Sequence, residues 1–156
     1  MIKFTAVIAA FALFAAPALA APDPGAVSLE GTVKIARTVT VDGVEKVVVE
    51  EPKVVVPGDK LLFATRYANK GTEAIANFVV TNPVPSAVIV ADESAQDADV
   101  SVDGGKTFGP LAKLQVKDEA GAPRAAKASD ITHMRWTIAA IPPGGSGVVE
   151  YHAIVR

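Results

Sequence analysis

Residues 57–85 read PGDKLLFATRYANKGTEAIANFVVTNPVP, and this stretch decides the fold. Two apolar runs flank a short polar turn, Asn69-Lys70-Gly71-Thr72; Pro57-Gly58-Asp59 leads in and Asn82-Pro83-Val84-Pro85 leads out. Over residues 61–69, Leu61, Phe63, Thr65 and Tyr67 alternate with Leu62, Ala64, Arg66 and Ala68. That period of two places the first set on one face of a strand, and Phe63 and Tyr67 mark it as the core side. Residues 74–81 form the next strand, with Phe78 and Val80 sharing a face. Asn69 and Asn82 are expected to bond nearby backbone through their side chains, and the prolines to end strands and protect edges.

The same grammar continues in both directions. Upstream, Asp42-Gly43 sits between β-branched runs at 27–41 and 44–50, a strong hairpin signal because both turn residues accept positive φ. A kink is expected near Ala36, Pro52 ends the second run, and 53–56 reads as a short strand. Downstream, short strands are expected at 86–91, 100–102, 106–108 and 111–117. A final hairpin is expected over 131–140 and 147–155, joined across Pro142-Pro143-Gly144-Gly145-Ser146. No sustained helical period and no internal repeat follow residue 21. The fold class is therefore all-β, an immunoglobulin-like antiparallel β-sandwich over residues 27–156.

The chain opens with Lys3, an uncharged run over 4–16, Pro17 and Ala18-Leu19-Ala20. A charged start, a short apolar stretch and a small-x-small site are the parts of a secretory signal. Residues 1–20 are expected to be a signal peptide cleaved before Ala21, with 21–26 a proline-rich lead-in. The apolar run is shorter than the roughly 20 residues a spanning helix needs. No cysteine follows the cleavage site to carry a lipid. The expected location is the periplasm or the cell surface, without a membrane span after cleavage.

Fifteen Lys and Arg against 17 Asp and Glu give a net charge of −2 in 156 residues. Nucleic-acid binding needs clustered cations, so that class of partner is excluded. With no cysteine, thiol chemistry and cysteine-ligated zinc are excluded too, and stability must come from apolar packing rather than disulfides.

Residues 57–85 resemble a bacterial immunoglobulin-like repeat of exported surface proteins, the domain of unknown function number eleven. The likeness rests on Pro57-Gly58-Asp59, Tyr67, Asn69-Lys70-Gly71-Thr72 and Val79-Val80-Thr81-Asn82 leading to Pro85. Ile141-Pro142-Pro143-Gly144 before a last strand of alternating Val and Tyr also fits. It spans about residues 27–156, in one copy. The resemblance implies a sandwich fold and an exported, non-catalytic protein; it names no ligand.

Several side-chain groups bear on chemistry. Ser101-Val102-Asp103-Gly104-Gly105-Lys106-Thr107-Phe108 looks like an Asp-box hairpin, in which the aspartate accepts turn N–H groups. Asp97, Asp99 and Asp103 could supply oxygens to calcium, although their spacing is not that of an EF-hand. His133 and His152 fall nearly opposite each other if the final hairpin is centred on its turn, and such a pair could share a transition metal. Trp136 is expected in the core with Met134 and Ile138, leaving Arg135 exposed with His133 and Thr137.

Catalytic patterns are missing. Gly144-Gly145-Ser146-Gly147-Val148 has Val148 where a nucleophile elbow requires glycine. Glu50-Glu51 and Asp92-Glu93 are adjacent pairs whose members point to opposite faces of a strand. The long segment 117–130 (KDEAGAPRAAKASD) is where a rigid sandwich would carry binding residues, first Arg124 and Lys127.

The function expected is an exported cell-envelope binding or structural module, without catalytic activity or cofactor. Its partner would be an envelope protein or surface polymer. The alternatives are a metal-binding protein using His133 and His152, or a fibre or assembly subunit adding strands at an open edge near the Asp42-Gly43 hairpin.

Overall fold

The computed structural model describes residues 26–156; the expected signal peptide and nearly all of the lead-in lie outside the described residues. Strand β1 (Val27–Val41) and strand β2 (Val44–Glu50) form the expected hairpin. Asp42 and Gly43 both have positive φ, 53° and 80°, the backbone of a two-residue turn matched to strand twist. β1 runs unbroken through Ala36. Instead of a kink, Ala36 marks a change of neighbours. It pairs with Lys60 of β3 (Lys60–Asn69) on one side and Val49 of β2 on the other. Residues 27–36 belong to the sandwich, while the rest of β1 continues with β2 as a two-stranded ribbon.

Residues 53–56 are not a strand: Val54, Val55 and Val56 are exposed, and the Val54 carbonyl accepts a bond from Arg37. The Asp59 carboxylate accepts from the Arg37 guanidinium at 2.9 Å and from the Val56 N–H. Those bonds hold its pKa below the ordinary value, Arg37 being the larger cause. The Pro57-Gly58-Asp59 motif thus fastens the root of the ribbon to the start of β3.

The remaining strands are β4 (Ile75–Pro83), β5 (Val88–Val90), β6 (Asp99–Ser101), β7 (Gln115–Lys117), β8 (Pro123–Ala125), β9 (His133–Ile141) and β10 (Ser146–Val155). One five-residue helix, α1 (Asp92–Gln96), is too short to show a period in sequence. Residues 111–113 form a 3-10 turn instead of extending the strand at β7. Residues 106–108 make no strand; one bridge joins Val100 to Gly109.

The antiparallel sheets are β2-β1-β3-β10-β5, β4-β9-β6 and a small β7-β8 ribbon. The first two pack face to face. Ile35, Leu61, Tyr151, Ala153, Val88 and Val90 from one meet Met134 and Val100 from the other. Tyr151 stacks on Phe63 at 4.8 Å in its own sheet and on Trp136 at 6.3 Å across the layers. The all-β sandwich is therefore present, and Trp136 packs against the core with Met134.

Two turns differ from expectation. β3 and β4 lie in different sheets, so Asn69-Lys70-Gly71-Thr72 is a corner between layers. β9 and β10 are likewise in different sheets, so the expected final hairpin is a second corner. The corners touch: Asn69 N–H donates to the Gly145 carbonyl at 2.8 Å, and Gly144 N–H donates to the Asn69 carbonyl at 3.0 Å. Asn77, at φ 52°, has no partner in the β4–β9 register, which keeps the same offset on either side of it; the alternation of buried residues along β4 changes there, with Ile75 buried before it and Val80 after it.

Candidate functional site

The expected metal pair is taken apart by the second corner. His133 pairs with Pro83 and Ser101 in the three-stranded sheet, whereas His152 pairs with Leu62 in the five-stranded one. The sequence puts them on neighbouring strands because the Pro142-Pro143-Gly144-Gly145 turn reads the same whether a chain doubles back or changes layer. The His133 ring packs over Gly105 and near Phe108, with Nδ1 3.2 Å from the Thr132 hydroxyl. His152 is exposed. No group of three or more His, Cys, Asp or Glu residues is arranged to hold a metal among the described residues.

Two of the three acidic residues near 100, Asp99 and Asp103, are already engaged, and the third, Asp97, is exposed. Asp103 accepts from the Thr107 N–H, the Thr107 hydroxyl, the Ser101 hydroxyl and the Lys106 N–H. These bonds, led by the Thr107 N–H, push its pKa well below the usual carboxylate range. Gly104 and Gly105 take φ of 79° and 84°, which puts those N–H groups around one carboxylate. The Asp box is thus a self-contained turn. Asp99 pairs with Arg135 at 3.0 Å. Arg135 is half-buried rather than exposed, with its guanidinium 4.3 Å from the centre of the Phe108 ring.

Arg124 is not free for a ligand either. It meets Asp130 in a two-pronged pair at 2.7 and 2.8 Å, the strong fork geometry of guanidinium and carboxylate. Asp130 also accepts the Lys127 N–H, and the Lys127 side chain is exposed. The segment read as a long loop is a folded flap: β7 pairs with β8, and the Asp118 carboxylate accepts the Ala120 and Ala122 N–H groups around Gly121.

An uncommitted set of charges lies elsewhere, on the outer face of the five-stranded sheet. The register there aligns Glu30 with Arg66 and Val148, then Thr32 with Ala64 and Glu150, then Lys34 with Leu62 and His152. The first two rows, with Lys34 and Leu62, line an open cleft of about 390 Å³. Leu62, Ala64 and Val148 supply its apolar surface, while Glu30, Lys34, Arg66 and Glu150 surround it with both signs of charge. Among the described residues, none of these four charges is within ion-pair distance of another.

Alternation along β3 places Arg66 and Leu62 on its non-core face, but no local pattern shows the cleft. It depends on β10 lying beside β3, a pairing between strands about 80 residues apart that no local pattern announces. A second groove, about 410 Å³, runs past Asp97, Asp99, Arg135 and Trp136. Its cation is already neutralised by Asp99 and stacked on Phe108, so the outer-face cleft has more interaction capacity left.

No family model matches this chain, and no curated protein or solved structure matches it either. The likeness of residues 57–85 to the bacterial surface repeat rests on the motif residues alone.

Proposed function

We propose that the protein is an exported, non-catalytic binding module of the cell envelope whose ligand face is the outer surface of the five-stranded sheet. The observation that carries this reading is the cleft of about 390 Å³ with four charges unpaired among the described residues. Glu30 and Glu150 offer acceptors for an ammonium group; Lys34 and Arg66 offer donors for a carboxylate. Leu62, Ala64 and Val148 take an apolar stem between them. A ligand with both charges on a short apolar frame, such as a peptide or an amino-acid-substituted surface polymer, fits that chemistry. The signal-like N-terminus supports export.

The test is cosedimentation of the purified chain with isolated envelope polymer at low and high salt. Saturable binding is expected, weakened at least tenfold by Arg66→Glu or Glu150→Lys, since each reverses a charge facing the ligand. Binding that neither substitution alters, or turnover of a substrate by the pure protein, would overturn the reading.

A further inference from the structure

β2 is the outermost strand of the five-stranded sheet, and among the described residues no strand pairs with its other edge. The backbone N–H and C=O groups on that edge form a template for another strand. Natural edges are ordinarily blunted by brevity, bulges, proline or charged side chains, lysine above all. β2 carries Lys46 and has Pro52 just past its end, yet it spans seven residues and exposes Val44 at 58 %, Val48 at 40 % and Val49 at 54 %. Together with Val39 on β1, these valines sit on a ribbon whose distal part lies outside the core cluster.

The order of charges on β2 selects a partner. The strand reads Val44-Glu45-Lys46-Val47-Val48-Val49-Glu50. Lys46 stands two residues before Val48 and Glu50 two residues after it, so the sign inverts about Val48. Residues two apart share a face, and Glu50 shares its face with Arg37, from which it is 3.8 Å away. Two identical strands paired antiparallel about Val48 set Lys46 of each copy directly opposite the partner's Glu50, an attractive pair made twice. Neighbouring registers lose this match. Centred on Val47, the pairing sets Lys46 opposite the partner's Val48. Centred between Val47 and Val48, it sets Glu45 opposite the partner's Glu50, a repulsion made twice. In the Val48 register Glu45 comes opposite the partner's Glu51, which lies past the end of β2 and is followed by Pro52, so the ladder stops there.

We propose that a second copy of this chain docks on the β2 edge through antiparallel β2–β2 pairing about Val48. The contact is two-fold and uses the same edge on both copies, so it closes at a dimer and cannot propagate into a fibre. Pairing at the edge leaves the Arg66 and Glu150 face uncovered, and the contact stands or falls independently of the proposed ligand cleft.

The test is sedimentation of the purified chain, of K46E, of E50K and of an equimolar mixture of the two variants. The unaltered chain is expected to show a concentration-dependent monomer–dimer equilibrium. Each variant alone is expected to self-associate about tenfold more weakly or worse, because both attractive pairs become repulsive. In the mixture, position 46 of one variant faces position 50 of the other with opposite sign, and dimers return. An unaltered chain that stays monomeric at every concentration, species larger than a dimer, or a mixture as dissociated as its components would each overturn the proposal.

Single-cysteine variants check the register in a chain that has no cysteine of its own. Val48 faces its own copy at the roughly 5 Å a disulfide spans. The two copies of Val44 are about 25 Å apart. Oxidised V48C should give covalent dimers and V44C should not; equal crosslinking would sink the register.

Discussion

Asn69 carries both crossings between the layers. Its side-chain N–H₂ donates to the Glu73 carbonyl at 2.7 Å and to the Ile141 carbonyl at 3.0 Å, while its oxygen accepts the Gly71 N–H at 2.9 Å. The residue is 1 % exposed. One amide thus closes the corner after β3 and holds the end of β9 beside it. Asn69→Ala would leave the Ile141 carbonyl and the Gly71 N–H without these partners, which costs about 2–4 kcal/mol. Urea unfolding should show that loss, and a cost within error of zero would refute the staple. Asn69→Asp should be no milder, since it turns a carboxylate toward two carbonyl oxygens. Tyr151 poses the opposite case. Its ring is central to the core, yet its hydroxyl is buried without a hydrogen-bond partner in the described structure. Burial pushes its pKa up to about 12. Tyr151→Phe keeps the stack and removes the orphaned group, so it should leave stability unchanged or raise it. A clear drop in melting temperature would show that the hydroxyl has a partner.

Elements inherit their limits from such contacts. In the β3–β10 ladder Gly147 pairs with Tyr67, and a Cβ added to Gly147 would overlap the Tyr67 ring and hydroxyl. Gly147→Ala should therefore destabilise by about 1–3 kcal/mol through overpacking. The double variant with Tyr67→Ala should show less than the sum of the two single losses, because the clash is gone; strict additivity would place the cause elsewhere. One ion pair braces the β7–β8 flap beside its strand pairing and the Asp118 turn. Arg124, the larger cause, and burial acting against it leave the Asp130 carboxyl at about 2, below the ordinary 3.8. A depressed folded pKa means that the carboxylate stabilises the flap above the unfolded value. That contribution is lost as pH falls from about 4 towards about 2. Amide exchange in residues 115–130, corrected for the intrinsic rate, should accelerate across that window. Arg124→Gln should flatten the dependence; an unchanged acid profile in that variant would assign it to another group. The flap also shows where sequence reading stops. The β1–β2 hairpin was legible because Asp42-Gly43 permits essentially one local answer. Residues 117–130 read as open loop in sequence because their order comes from a pair six residues apart and three-residue strands, which leave no periodicity.

At the scale of the molecule, alternation identified the inward residues of β3, and turn residues located both corners. What alternation could not say is which layer each strand joins. Proline, glycine and asparagine end a strand equally well whether the chain reverses within a sheet or crosses to the other. This is why His133 and His152 were expected together and stand in separate sheets, and why the outer-face cleft was missed. The resulting architecture has an uneven distribution of stability. β3 is paired on both sides, by β1 and β10, and Leu61 and Phe63 on it pack in or against the core. Beyond Ala36 the ribbon has only its own two strands, and Val39, Val44, Val48 and Val49 are exposed. An isolated two-stranded hairpin is marginal in water, and regions with few buried contacts open locally. In dilute solution, amides of residues 38–49 should exchange by local opening, orders of magnitude faster than those of β3, which should approach the global unfolding limit. Substitution of the exposed valines by threonine should leave β3 protection unchanged, since none of them belongs to the core. Ribbon amides as protected as those of β3 in the monomer would mean that a further contact within the chain covers the ribbon, and the β2 edge would then be closed to a second copy.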